Sequence, residues 1–193
     1  MGRPREFDEN EALERAMEVF WAKGYEAASL QDLTEAMGLS RSSFYETFGS
    51  KHALFLAAIE RYGDIIARRL EADLAGCRPA REAIARVFEI AVETAVDEGD
   101  LRGCFLGNCA VEVSPNDPAA AAQVRAGLAR IEDKFYQAVR RGQNAGEIPT
   151  ERDARALARY LVGSLNGLRV TAKANPDAAA LRDIVRIVLA ALD

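Results

Sequence analysis

From Asp8 onward the apolar residues of this chain recur three and four positions apart, and nowhere do they alternate as a half-buried strand requires. That feature confines the chain to an all-α fold. Stop signals between the periodic stretches are frequent. Gly24, Gly38 and Gly49 close three short segments, and the stretch from Gly76 to Pro79 interrupts the chain after a long one. Beyond it stand Glu98-Gly99-Asp100, the stretches from Ser114 to Pro118 and from Gly146 to Thr150, and Asn175-Pro176-Asp177. Gly and Pro end helices at such places, and Ser or Asp begin them. The expected helices, about nine, cover 8–22, 29–37, 41–48, 51–75, 79–98, 102–113, 117–145, 150–174 and 177–192.

The first four segments have a specific local logic. In the first, Leu13, Met17 and Phe20 share a stripe, and Glu9, Glu11, Glu14 and Glu18 lie mostly off it. Ser29 opens the second with Asp32 three positions later, a capping-box spacing. Ser40 caps the third, in which Phe44 and Phe48 share a face. Two short helices joined by Gly38-Leu39-Ser40 make a helix-turn-helix. The second helix of such a motif lies in the DNA major groove with its N-terminal residues against base edges. Here those residues are Arg41, Ser42 and Ser43, and Arg41 has the fork to pair with a guanine. Tyr45, adjacent to an inward Phe44, is expected to point outward to a phosphate. Lys51 and the free amides of the fourth helix's first turn form an anion site, and Ser29 is expected to act likewise on the other side. These contacts set position rather than sequence. Arg3 and Arg5, flanking Pro4, are expected to reach the neighbouring minor groove.

Charge speaks against this reading until placement is known. The chain carries a net −5, and residues 1–52 hold six basic against ten acidic side chains. The bases must therefore converge on one surface while the acids face away.

The stretch from Ala16 to Phe55 resembles the TetR family of bacterial repressors. The residues that carry the resemblance are Phe20, Gly24-Tyr25, Ser29, Gly38-Leu39-Ser40, Phe44-Tyr45, Phe48, Lys51 and Leu54. Many members have Gly where this chain has Ser43 and Leu where it has Phe44, which bears on the base contacts and not on the motif. The resemblance implies a DNA-binding domain over 1–52 and a sensing and dimerisation domain over 53–193. It implies operator DNA, a small-molecule inducer and a second copy of the chain as partners, with no cofactor.

The C-terminal part supports pairing on its own terms. The segments 150–174 and 177–192 are too apolar for a single buried stripe, and Gly163 and Gly167 permit close backbone approach. Two such helices from each of two chains would form a four-helix interface; full burial within one chain is the other reading. The inducer pocket is expected to be lined by Phe88, Val92, Cys104, Asn108, Phe135, Tyr136, Tyr160 and Asn166, apolar walls with a few polar groups. The stretch Gly103 to Val113 resembles a Gly-Cys-Leu-Leu helix of a TetR subgroup that senses electrophiles or small acids. Cys104, expected in the first turn of its helix, is then either a thiol sensor or a small core residue. Cys77 reads as incidental.

Other functions find less support. The chain has one histidine, His52, so a histidine-based metal cluster cannot be built within it. No glycine-rich phosphate loop follows a strand, and no metal-ligand spacing occurs, so a helical enzyme is the remote alternative. Three cysteines suit free thiols rather than a disulfide scaffold. With a charged N-terminus and no long apolar run, the chain is expected to be cytoplasmic, without a membrane span.

Overall fold

The structure, a computed structural model, describes residues 7–76 and 78–193. Arg3, Arg5 and Cys77 lie outside the described residues. Among those described, nine α-helices and a closing 3-10 turn over Ala190–Leu192 account for the regular structure, with no strand.

Helices α1 (Glu9–Lys23) and α3 (Arg41–Phe48) pack on α4 (Lys51–Leu74), and α2 (Leu30–Met37) packs on α1. Each starts where the sequence supplies an acceptor. Asp8 accepts from the Asn10 and Glu11 amides, Ser29 from Asp32, Ser40 from Ser43 and Ser50 from Ala53. At α2 the capping box is complete in both directions. The core of this head is Phe20, Leu33, Phe44, Leu54 and Phe55, all fully buried. Phe20 meets Phe55 edge-on with ring centroids 5.1 Å apart.

The remaining helices are α5 (Ala80–Val96), α6 (Phe105–Glu112), α7 (Pro118–Asn144), α8 (Ala154–Ala174) and α9 (Ala178–Leu189). They build a bundle around the far length of α4, with α7 lying against it. The expected domain boundary after residue 52 falls inside α4, so head and bundle share one unbroken helix, and their apolar residues form a continuous core.

Two helix starts differ from expectation. Helix α6 begins at Phe105 and not near 102. Asp100 accepts from the Arg102 amide and Nε, both at 3.0 Å, and Gly103 takes φ +73°, so the chain turns there before a helix can start. Cys104 is consequently the N-cap of α6 and not a residue of its first turn. Helix α8 begins at Ala154 because Asp153 caps it, accepting from Ala156 at 2.6 Å.

Helix α8 buries Leu157, Leu161, Leu165 and Leu168. Its other side leaves Tyr160 and Val170 exposed, at 43% and 66%, and Ile187 of α9 is 60% exposed. A Cβ added at Gly163 or Gly167 would meet nothing within 4 Å. The apolar excess of these two helices is therefore not absorbed by the core of one chain.

Candidate DNA-reading surface and sensing cleft

At the head, α3 presents Arg41 and Ser42 exposed and Tyr45 at 53% exposure, while Phe44 is fully inward. Arg41 and the Tyr45 hydroxyl have no hydrogen-bond or ion-pair partner among the described residues, so both are free to meet a ligand. The two serines are already engaged. Ser42 Oγ donates to Glu46 Oε1 at 3.2 Å, and Ser43 Oγ shares a 3.0 Å hydrogen bond with Ser40 Oγ. Lys51 lies 4.6 Å from the Tyr25 ring centroid and donates to the Glu26 carbonyl at 3.5 Å, which holds its ammonium at the α1–α2 loop.

Ser29 is engaged at the start of its own helix. Its hydroxyl donates to Asp32 Oδ2 at 2.8 Å and its amide donates to the same oxygen at 2.9 Å. Both Ser29 donors are thus engaged by the Asp32 carboxylate. The Lys23 ammonium at 2.6 Å, with the Ser29 bonds, holds the Asp32 carboxyl down at about 2. Ser29 is the N-cap of α2, and the nearby Lys23 is paired with Asp32.

Two hollows meet behind the head. One is a cleft of about 630 Å³ between α1, α6 and α8, whose walls include Phe20, Trp21, Phe105, Val111 and Val170. The other is a more enclosed lobe of about 310 Å³ between α4, α5 and α8, floored by Tyr62, Leu70, Val87 and Ala91. Trp21, Gly103 and Arg169 belong to both. Sizes and mixed lining suit small-molecule sites.

Of the pocket residues expected from sequence, Cys104, Asn108 and Asn166 line the cleft. Cys104 is 5% exposed and its Sγ accepts from the Gly107 amide at 3.4 Å. Asn108 donates to the Arg102 carbonyl and accepts from Lys173 Nζ, each at 2.9 Å. Asn166 Oδ1 is buried without a donor, close against Gly107. The other five expected residues line neither hollow. Phe88, Val92 and Phe135 are fully buried, and the rings of Phe88 and Phe135 pack 6.5 Å apart inside the bundle. Tyr136 is covered by the Arg155 guanidinium 4.0 Å from its ring, and Tyr160 stands on the exposed face of α8. These aromatic residues have helical spacing because they are core or surface, and periodicity alone does not separate a wall from a core.

Sequence reasoning missed the groups that join the two parts. Glu112, the last residue of α6, accepts from the backbone amides of Tyr25 and Glu26, at 2.8 and 3.3 Å, in the α1–α2 loop. Arg102 stacks 4.1 Å over Trp21, bonds Asp100 at 2.8 Å and pairs with Glu18 of α1. His52 at the start of α4 meets Asp117, the N-cap of α7, at 2.6 Å. Only a clustering of charge near turns could have signalled the contacts of Glu112, His52 and Arg102 with Glu18, since each of these spans more than sixty residues of sequence.

Comparison with known proteins agrees with this geometry. Residues 12–58 match the family model described as bacterial regulatory proteins of the tetR family, and residues 80–188 match a tetracyclin repressor-like C-terminal domain. The chain is a TetR-family transcriptional regulator. It is 38% identical to the uncharacterized HTH-type regulator YezE of Bacillus subtilis, over the whole of both chains. It is 34% identical to the HTH-type transcriptional repressor ComR of Escherichia coli, covering 96% of this chain and 88% of that one. Among solved structures, a cysteine mutant of the TetR-family regulator CifR, complexed with 26-bp double-strand operator DNA, superposes with a TM-score of 0.85. Its identity is 35%, over 99% of this chain and 100% of that one. The reduced form of Escherichia coli NemR shares the fold, at TM-score 0.85 and 20% identity, over 93% of each chain. No helix among the regulator's described residues is long and apolar enough to cross a membrane.

Proposed function

We propose that this regulator binds operator DNA as a homodimer, represses transcription there in the cytoplasm, and is released when a small molecule occupies the cleft between α1, α6 and α8. No catalytic role is assigned to it. The observation that carries the reading is the make-up of that cleft. One wall is α1 of the head and the others are α6 and α8 of the bundle, so a ligand that fits it touches both parts. A ligand shifts the equilibrium only by its preference for one arrangement of them, typically ~1–3 kcal/mol. Helix α4 supplies the lever: 24 residues at about 1.5 Å each reach some 36 Å from the head to the far end of the bundle.

The exposed apolar face of α8 and α9 supports pairing of two copies in a four-helix interface. Pairing would set two α3 helices one DNA turn or slightly more apart, roughly 34–40 Å, on a pseudo-palindrome. Arg41 is assigned to a base edge, Tyr45 and Lys51 to phosphates. The minor-groove role of Arg3 and Arg5 stays part of the proposal. A gel shift with DNA from upstream of the regulator's own gene tests the reading. A specific complex with two protomers is expected; absence of any sequence-preferring complex refutes it.

A second reading has its own observation. Cys104 lines the cleft as the N-cap of α6, so a group added to its sulfur would displace the start of the helix whose other end holds the head. Cys109 is less suited, because burial pushes its thiol up, away from the reactive thiolate. Serine preserves an N-cap acceptor, so Cys104→Ser should fold and bind operator. If that variant still releases DNA on treatment with an electrophile, thiol sensing at Cys104 is wrong.

A further inference from the structure

We infer that the two hollows form one bipartite site for an amphipathic organic oxyanion, its head held by Arg169 and its apolar body in the lobe between α4 and α5. The inference rests on the reading of this region as the inducer site and specifies what fits it.

The partition between the two hollows is rich in charged side chains. Five cations line the hollows it separates: Lys23, Arg69, Arg102, Arg169 and Lys173. Arg69 is exposed and solvated at the rim of the lobe. Lys23 is taken by Asp32, and Arg102 by Asp100 and Glu18. Glu112, a carboxylate of the cleft, is turned to the backbone amides of Tyr25 and Glu26. Lys173 bonds only the neutral Asn108 oxygen. Arg169 makes no hydrogen bond or ion pair with any described residue, although it is half-buried and lines both hollows. A guanidinium carries five donors and no acceptor. One placed in a partly desolvated wall without a carboxylate is a vacancy for an anion.

Neighbouring groups agree. The Trp21 Nε1 donor, in the same partition, is buried without an acceptor. Burial first, and Cys104 second, push the Tyr62 phenol up, so it remains a neutral group beside Arg169 and offers no anion in place of the ligand. The lobe supplies the apolar complement: Ala95 and Ala172 join Leu70, Val87 and Ala91 on its buried floor. Its rim carries Arg69, Asp73, Glu98 and the Asp100–Arg102 pair, which keeps a second anionic head from being favoured there. A molecule with one oxyanion and an apolar body matches this sequence of surfaces.

The regulator carries its own reporter, since Trp21 is its single tryptophan and lines both hollows. Full-length dimer should be titrated with octanoate, octyl phosphate and octanamide while Trp21 fluorescence is followed, and operator release measured in parallel. At least one of the two anions should bind about tenfold or more tightly than octanamide, the advantage of a charge-assisted over a neutral hydrogen bond. Which anion binds better distinguishes a carboxylate from a phosphate head. Arg169→Gln should bind anion and amide alike, and Arg169→Lys should regain part of the preference, with operator binding by the ligand-free variants retained. Equal binding of anions and amide by the wild type, no response to either anion, or an undiminished preference in Arg169→Gln overturns the inference. Failure of the ligand-free wild type to bind its upstream DNA instead strikes the proposed function, and the fluorescence result stands apart from it.

Discussion

Removing the Glu112 carboxylate should loosen the head from the sensing helices by an amount that the geometry fixes. Two backbone amides point at this side chain, from Tyr25 at 2.8 Å and Glu26 at 3.3 Å. Hydrogen bonds to a charged group contribute ~1.5–3 kcal/mol each when well formed. Only the Tyr25 bond is short, and the site is exposed to water, so the lower end applies: about 1.5 kcal/mol for Glu112→Ala, or roughly tenfold. Glu112→Gln keeps an acceptor oxygen and loses the charge, which leaves about half of that and a roughly threefold effect. The readout is amide hydrogen exchange, which reports local opening directly. Exchange at Tyr25 and Glu26 should accelerate about tenfold in the alanine variant and about threefold in the glutamine variant, with Leu33 and Phe55 amides unchanged. The coupling that any inducer exerts on operator binding should shrink in the same order. Unchanged exchange at both amides in Glu112→Ala would show that the carboxylate does not hold the loop.

Arg41→Ala should weaken operator binding by ~1–3 kcal/mol and relax preference at one base pair, whereas Lys51→Ala should weaken all DNA alike and flatten the salt dependence; a competition binding assay over single-base operator variants separates them, and unchanged preference in Arg41→Ala means that it reads no base. Sedimentation should show a dimer of about 42 kDa, twice 21.0 kDa, and Gly163→Arg should shift it to monomer by setting a charge on the open face of α8, outside the cleft that Gly167 lines; a wild-type monomer at micromolar concentration refutes the pairing model. Ser29→Ala should cost ~0.5–2 kcal/mol in thermal or urea unfolding through the lost cap. The folded Asp32 carboxyl sits at about 2, below its ordinary 3.8, so its contribution is full above the higher value and fades as pH falls toward the lower; Asp32→Asn should be less stable at neutral pH and should show a shallower acid limb, and an unchanged acid limb would count against the Lys23–Asp32 bond.

The fold was legible because helix starts and stops are local. Ser29, Ser40, Ser50, Asp117 and Asp177 each cap the helix that follows them, and a cap depends on residues three positions away. Even the errors at 102 and 150 were errors of local competition, with Asp100 and Asp153 bonding the nearby backbone in ways that delay the helix. The recognition helix was readable for the same reason: Phe44 inward and Tyr45 outward follow from adjacency alone. The sensing region was not. Phe88 and Arg169 both lie on helices with an apolar stripe, yet one is sealed in the bundle and the other stands between two hollows. Which flank of a helix faces a gap depends on how its neighbours cross it, and no residue spacing within one helix encodes that.

Part of the head's acidity is offset by position, although Glu35 and Glu46 bond only the neutral Gln31 and Ser42 and keep their charge. Of the acids in the head, Glu11 pairs with Arg15, Glu14 with Arg61 of α4, Glu18 with Arg102 and Asp32 with Lys23. Asp8 is spent on the first amides of α1. Exposed pairs of this kind add little stability, but each cancels a negative charge within a few ångströms, well inside the ~8–10 Å over which salt leaves charges visible to one another. At the start of α3, Arg41 has no such partner, and it stands where the helix dipole is also positive. The field met by an approaching phosphate is set by the charges left unpaired near it, not by the net −5 of the chain. At the two hollows Lys23 and Arg102 are paired with carboxylates, Lys173 bonds a neutral oxygen and Arg69 is solvated, which leaves Arg169 as the half-buried cation without a carboxylate. In a chain this rich in acids, a basic side chain left without one at a surface or a hollow is the place where an anion from outside, DNA or ligand, has the most to gain.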